Sequence, residues 1–385
     1  MRFSRTILFA LIVALLALPP AKASTPTGKN GFEKFGEAVS IIESAIEDSA
    51  FPGAQLAVIQ KGKVIFNSSF GSQTYDENSP GIDDETIFDL ASLTKVLATT
   101  SAVMRLIDLG KLRLDDRIAK YIPAFNEGEK QEITIRHILT HTSGMQPFRK
   151  LYDVCSTPEE ALDTIYHSAL VSKPGDSVIY SDLGMITLAK VAEKVSGKQL
   201  DAFVRDEFYT PLGMDNTRFN PLQEMRSYAA PTEIDTVWRM RLVQGTVHDE
   251  RAELLGGVAG HAGLFSNATD ISRFMLMLMN NGELDGKRCI NETTVSLFTQ
   301  RASNTGTRAL GWDTRSEHGS SSGDLFSPTS YGHTGFTGTS IWVDPERSVC
   351  VILLTNRVYP TRANSKITGV RPALHNAIMN ELVTN

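Results

Sequence analysis

Strand-patterned segments lie near both ends of this chain, and the long stretch between them is patterned for helices. Ala54–Gln60 and Lys63–Phe70 are strand-like and joined by Lys61-Gly62, which predicts an antiparallel hairpin. Thr339–Val343 and Ser348–Thr355, joined by Asp344-Pro345-Glu346-Arg347, predict a second. From Lys111 to about Gly256 the pattern is mostly helical, with helix candidates at Ile133–Thr140 and Asp182–Val195. Further helices are expected at Phe32–Ile46, from Ser92 to Leu109 with Gly110 as C-cap, at the Met-rich Ser266–Asn280, and at Pro372–Val383. Strands at both ends bracketing a helical middle predict an α/β (α+β) fold: one antiparallel sheet built from both termini, flanked by helices, with an inserted mainly helical lobe. The α/β part takes about 31–110 and 257–385, the lobe about 111–256, and a cleft is expected between them.

The first 23 residues have the form of a secretory leader. Arg2 and Arg5 precede the apolar run Ile7–Leu18, Pro19-Pro20 breaks it, and Ala21-Lys22-Ala23 is a small-x-small cleavage pattern. A periplasmic or secreted location with a cut after Ala23 is therefore expected, with no stable membrane span afterwards. The full chain carries a net charge of −6, and loss of Arg2, Arg5 and Lys22 makes the mature chain more acidic. An acidic chain without basic runs argues against a nucleic-acid partner. Cys155, Cys289 and Cys350 are widely spaced, permit at most one internal disulfide and have no metal-ligand spacing, so packing roles are expected.

Ser92-Leu93-Thr94-Lys95 is the only Ser-x-x-Lys in the 385 residues, and it opens a helix-patterned run. Residues at i and i+3 share a helix face, so the Lys95 ammonium lies beside the Ser92 hydroxyl. The helix N-terminus also offers free backbone N–H groups to a developing negative charge. A capping serine with a solvated lysine is the plain alternative for so short a motif. Two later motifs turn the balance. Tyr180-Ser181-Asp182 is the only Tyr-x-Asn/Asp, and His333-Thr334-Gly335 comes just before the last hairpin.

In this order and spacing the three motifs resemble the active-site elements of the serine β-lactamase and penicillin-binding-protein superfamily. The segment from Ile133 to Gly144, Pro211-Leu212-Gly213-Met214 with Thr217, and the segment from Gly257 to Ser266 extend the resemblance to class C β-lactamase-like serine hydrolases. It covers about residues 45–360 and implies the D,D-peptidase/β-lactamase fold. The resemblance implies Ser92 as nucleophile, Lys95 and Tyr180 as the base pair, and an acyl-serine intermediate with no cofactor or metal. Lys95 is expected to act first, with Tyr180 relaying the proton and later activating water. The N–H groups of Ser92 and Phe336 would form the oxyanion hole. Asp182, His333, Thr334 and Gly335 would line the substrate, Gly335 because a strand against the substrate leaves no room for a Cβ.

Two positions depart from the strict β-lactamase pattern. Asp182 stands where many relatives carry Asn; ionised, it only accepts hydrogen bonds and would hold Lys95 charged or favour a substrate amine. His333 stands where Lys is usual, replacing a permanent cation with a group mostly neutral near pH 7. The expected substrates are small esters, amides or D-amino-acid peptides of cell-wall origin. A true β-lactamase and a non-hydrolytic penicillin-binding sensor are the alternatives. His248, Asp249, Glu250, Glu253 and His261 invite a metal reading, but their spacing matches no zinc signature, and a structured loop on the cleft rim is expected instead. His137 and His141 read as structural. Trp312, Tyr331 and Phe336 are candidates to line the acyl pocket, the plain alternative being that Trp312 and Tyr331 simply pack.

Overall fold

The computed structural model describes residues 34–302 and 306–384. The leader, and the start of the helix expected from Phe32, lie outside them. The first hairpin is β1 (Gly53–Gln60) and β2 (Lys63–Gly71), turned at Lys61 and Gly62, both with positive φ. Four later strands complete the sheet: β3 (Asp313–Thr314), β4 (Tyr331–Thr334), β5 (Ser340–Asp344) and β6 (Val349–Thr355). The order is β3-β4-β5-β6-β1-β2, with every neighbouring pair antiparallel. β1 and β6 run side by side from Ala54↔Thr355 to Gln60↔Val349, so the two ends of the chain meet in the middle of the sheet.

Alternation along these strands fills two cores, because successive side chains point to opposite faces. Leu56, Val58, Trp342, Val351 and Leu353 face helices α1 (Gly36–Glu47) and α5 (Ile367–Thr384), which pack on each other. Ala57, Ile59, Ile341, Val343, Cys350 and Ile352 face the larger core, shared with the helical lobe. Helix α2 (Ser101–Asp108) continues the Ser92 segment, α3 (Asp182–Ser196) runs through the lobe and packs against it, and α4 (Ala268–Met279) lies against β1 and β6. Met275 and Met277 are buried, as expected of core filler. All three cysteines are buried and free.

The lobe between 111 and 256 is less uniformly helical than its pattern predicts. It contains the hairpin Glu233–Asp235/Arg241–Val243 and a strand, Arg218–Phe219. That strand joins Leu264–Ser266 and Phe88–Asp89 in a small three-stranded sheet, which pins the residues just before Ser92. The closing helix begins five residues earlier than predicted, at Ile367, because Pro372 sits inside it rather than opening it. Among the described residues no helix is long and apolar enough to cross a membrane.

Candidate active site

The backbone before Ser92 is held in a conformation that most side chains avoid. Ala91 has φ +45°. The buried Asp89 carboxylate holds it there, accepting from the Ala91 N–H at 2.8 Å and from the His248 N–H at 2.6 Å. Ser92 then starts a tight turn, Lys95 N–H to Ser92 O at 3.0 Å, followed by a π-helical stretch over Lys95–Thr100. Such widened turns inside helices are frequent at functional sites.

Lys95 is fully buried. Its ammonium donates to Ser92 Oγ at 2.8 Å and to the His261 carbonyl at 3.0 Å. Asp182 Oδ1 lies 2.8 Å away as an ion pair, off the angle of a good hydrogen bond. Burial alone would lower the lysine pKa, but the negative charge of Asp182, with Tyr180 alongside, outweighs it and raises it. Burial likewise opposes the Asp182 charge, and Lys95, His261 and Arg251 together hold its carboxyl well below the ordinary range. Asp182 thus keeps Lys95 charged, one of the two outcomes its chemistry allowed.

Tyr180 precedes α3, and Ser181 caps that helix by accepting from the Gly184 N–H at 3.0 Å. His141 fixes the tyrosine from both sides. Its carbonyl accepts from the Ile179 N–H at 2.7 Å, its Nδ1 from the Ser181 N–H at 3.1 Å, and its ring packs 4.5 Å from the Tyr180 ring. The histidine read as structural is therefore the support of a candidate catalytic group. His137, by contrast, makes a reciprocal cap with Thr134 at the start of its own helix. The Tyr180 ring centroid is 5.0 Å from Lys95 Nζ, and the Arg308 guanidinium lies 5.5 Å from the same ring.

His333 is the penultimate residue of β4 and is buried, its Nδ1 donating to the Thr334 carbonyl at 2.8 Å. Burial, then the positive charges of Lys95 and Arg308, push its pKa down to about 3, so the imidazole is neutral near pH 7. The turn from Gly335 to Thr339 is lashed to the nucleophile's strand: Thr337 Oγ1 donates to Asp89 O at 2.6 Å and Thr339 Oγ1 to Leu90 O at 3.0 Å. Arg371 of α5 donates to the Gly335 and Thr339 carbonyls at 2.9 and 2.8 Å. A Cβ on Gly335 would sit 2.1 Å from Thr339 Oγ1 and 2.5 Å from Leu90 O. This internal crowding is by itself enough to require a glycine here.

Ser92, Tyr180, Arg308, His333, Thr334 and Phe336 line one cavity of about 440 Å³. The N–H groups of Ser92 and Phe336 donate to no other described residue. Phe336 is half exposed on the rim, stacked on His248 at 5.7 Å and on the Arg357 guanidinium at 4.5 Å. Trp312 and Tyr331 pack edge to face, 5.4 Å apart, away from this cavity. Tyr331 lines instead a larger space of about 630 Å³ that holds none of these groups. His248 pairs with Glu233 at 2.9 Å beneath Phe336, so it supports the rim. Ligand atoms of Asp182, Asp249 and His261 lie within 4.8 Å of one another, but the Arg251 guanidinium bridges the two carboxylates at 2.8 and 2.6 Å. Neither Arg308 nor Arg251 carried a signal in the sequence, since neither belongs to one of the short motifs.

The family description Beta-lactamase matches residues 38–374. The chain belongs to the Beta-lactamase family. It is a serine hydrolase of that family, with the mixed α/β fold and antiparallel sheet of penicillin-binding proteins. A protein of Escherichia coli (strain K12) with the name "Putative D-alanyl-D-alanine carboxypeptidase" is 32% identical, over 92% of this chain and 91% of the relative. A Bacillus subtilis (strain 168) protein named N-acetylmuramyl-L-alanine amidase is also 32% identical, over 88% of this chain and 85% of its own length. Among solved structures, a penicillin-binding protein homolog from Caulobacter crescentus superposes with a TM-score of 0.72 at 18% identity, covering 91% of this chain and 98% of that one. The hydrolase EstCE1 superposes at 0.70 with 21% identity, covering 90% of this chain and 100% of that one.

Proposed function

We propose that this protein is an exported hydrolase, freed of residues 1–23, that cleaves amide bonds in small peptidoglycan-derived peptides through an acyl-Ser92 intermediate. Residues 31–385 would act as one hydrolase domain, with the cleft between its α/β part and its helical lobe. The observation that carries the reading is the 2.8 Å contact of Lys95 Nζ with Ser92 Oγ, in a cavity where the Ser92 and Phe336 N–H groups are unpaired. The relatives' names support the substrate class.

The contacts of Lys95 support a different division of the base work from the sequence expectation. An ammonium has three donors and no acceptor. Here two are directed to Ser92 Oγ and His261 O, and Asp182 closes the third side. Lys95 is thus spent on holding Ser92 and stabilising negative charge nearby, including that of a Tyr180 phenolate, and that phenolate takes the Ser92 proton to become the phenol. Ser92 Oγ then bonds to the acyl carbon while the carbonyl oxygen becomes an oxyanion between the Ser92 and Phe336 N–H groups. Collapse breaks the carbon–nitrogen bond, and Tyr180 returns the proton to the leaving amine. Water, deprotonated by Tyr180, releases the acyl group by the reverse route. With His333 neutral, Arg308, beside the Tyr180 ring and 3.7 Å from Asp313, would receive a carboxylate on the amine component; Arg357 and Arg371 line the same cavity but donate to backbone carbonyls.

The test is a substrate panel on purified protein: a D-Ala-D-Ala peptide, an N-acetylmuramyl-L-alanine compound, an activated acetate ester and a chromogenic cephalosporin. Turnover of a peptide or muramyl amide, abolished in Ser92→Ala, is the expected result. Rapid acylation by the cephalosporin with almost no turnover of anything would favour a penicillin-binding sensor. Labelling of Ser92→Ala by a fluorophosphonate as complete as that of the wild type would remove Ser92 from the mechanism.

A further inference from the structure

Behind Lys95 the polar side chains close into a ring. Lys95 contacts Asp182 at 2.8 Å, Asp182 contacts Arg251 at 2.8 Å, and Arg251 contacts Asp249 at 2.6 Å. Asp249 contacts His261 at 2.9 Å, and the carbonyl of His261 returns to Lys95 at 3.0 Å. Five residues, at 95, 182, 249, 251 and 261, thus share one circuit that closes through a backbone carbonyl. Asp249 also caps the short helix Glu250–Leu254, accepting from the Ala252 N–H at 2.9 Å, so the circuit is fixed to the backbone.

Arg251 lies outside the lining of the cavity, as do Asp182, Asp249 and His261, and it reaches Lys95 through Asp182. Its side chain is 7% exposed, and its guanidinium lies over the Phe148 ring at 4.7 Å. It takes Asp182 Oδ2, leaving Oδ1 for Lys95. A carboxylate facing a single cation can rotate to chelate it with both oxygens; one clamped on its far oxygen by a second cation presents a fixed edge. We propose that Arg251 is a positioning residue: it shares the Asp182 carboxylate with Lys95 and so fixes the direction in which the ammonium meets Ser92. The groups facing this pair are Asp249 and His261 on the Arg251 side, and Tyr180, His141, His333 and Arg308 on the Lys95 side. The proposal rests on the functional reading above only for its kinetic consequence.

If Arg251 acts through Asp182, its removal matters only while Asp182 is charged. Arg251→Ala is expected to slow fluorophosphonate acylation of Ser92 by about tenfold in the wild-type background, but by less than about twofold in Asp182→Asn. Arg251→Lys should recover part of the loss. Equal losses in both backgrounds would overturn the proposal and make Arg251 a structural residue. The same cycle is read without catalysis from the Lys95 side-chain ¹⁵N resonance, assigned with Lys95→Arg. It should move on Arg251→Ala in the wild type and stay in place in Asp182→Asn. An unmoved resonance in both overturns the proposal even if the wild type is never acylated, whereas absent labelling with a moved resonance overturns only the functional reading. Should Arg251→Ala fail to fold, Asp249→Asn, which keeps the helix cap but frees the other side of Arg251, must displace the same resonance.

Discussion

A fully buried lysine survives only where its charge is matched, and Lys95 is matched by Asp182. On the proposed mechanism this pairing leaves the base role to Tyr180. Tyr180→Phe is therefore expected to slow Ser92 acylation by about 10³-fold while leaving the fold intact, as measured by probe labelling and thermal melting. Near-normal labelling would return the role to Lys95. The neutral His333 yields a second expectation at this scale. Arg308→Gln should raise KM for a substrate with a free carboxylate about tenfold more than for a neutral acetate ester, since one charge-assisted hydrogen bond is lost only for the former. Ser92, Lys95 and Tyr180 were legible because short motifs carry them. Arg251, Arg308 and Asp89 were not, because each acts by reaching a motif from a segment distant in sequence.

At the scale of elements, the turn after β4 connects sheet to nucleophile. Thr337 and Thr339 bind the carbonyls of Asp89 and Leu90, and Arg371 reaches over from α5 to hold the turn's own carbonyls. Gly335→Ala should push this turn off Leu90 and displace the Phe336 N–H. Loss of one oxyanion donor costs about 3 kcal/mol, so acylation should fall roughly 100-fold, with a lowered melting temperature. Unchanged acylation would remove the Phe336 N–H from the oxyanion hole. The two hairpins were legible from apolar alternation and turn residues. The start of α5 was not: a proline in a helical pattern reads as a first-turn residue, and only packing on α1 explains why the helix begins before it.

Across the whole molecule, buried histidines make the fold sensitive to acid. Burial pushes His375 down to about 4 and, with Lys95 and Arg308, His333 down to about 3. Both bind a proton less readily folded than unfolded. Their contribution is complete above the unfolded value of about 6.5 and is lost as pH falls toward the folded values. Glu233 adds to this at lower pH. Burial raises its pKa, but His248 and Arg362 outweigh that and hold it at about 2, so its contribution fades below about 4. The melting temperature should fall between pH 6.5 and 4, and His375→Gln should flatten that fall, a difference on the order of 3 kcal/mol. Calorimetry across this range checks it; an equally steep fall in the variant would assign the acid sensitivity elsewhere.

By itself the chain's residue pattern determined the antiparallel sheet drawn from both ends, the helical insertion and the three motifs, because periodicity and turn chemistry are local properties. Tertiary structure alone decided the partners of Lys95. Whether a lysine is a neutral amine able to act as a base or a fixed positive charge depends on which oxygens surround it in space, and here they come from Ser92, Asp182 and His261, which only the folded chain brings together.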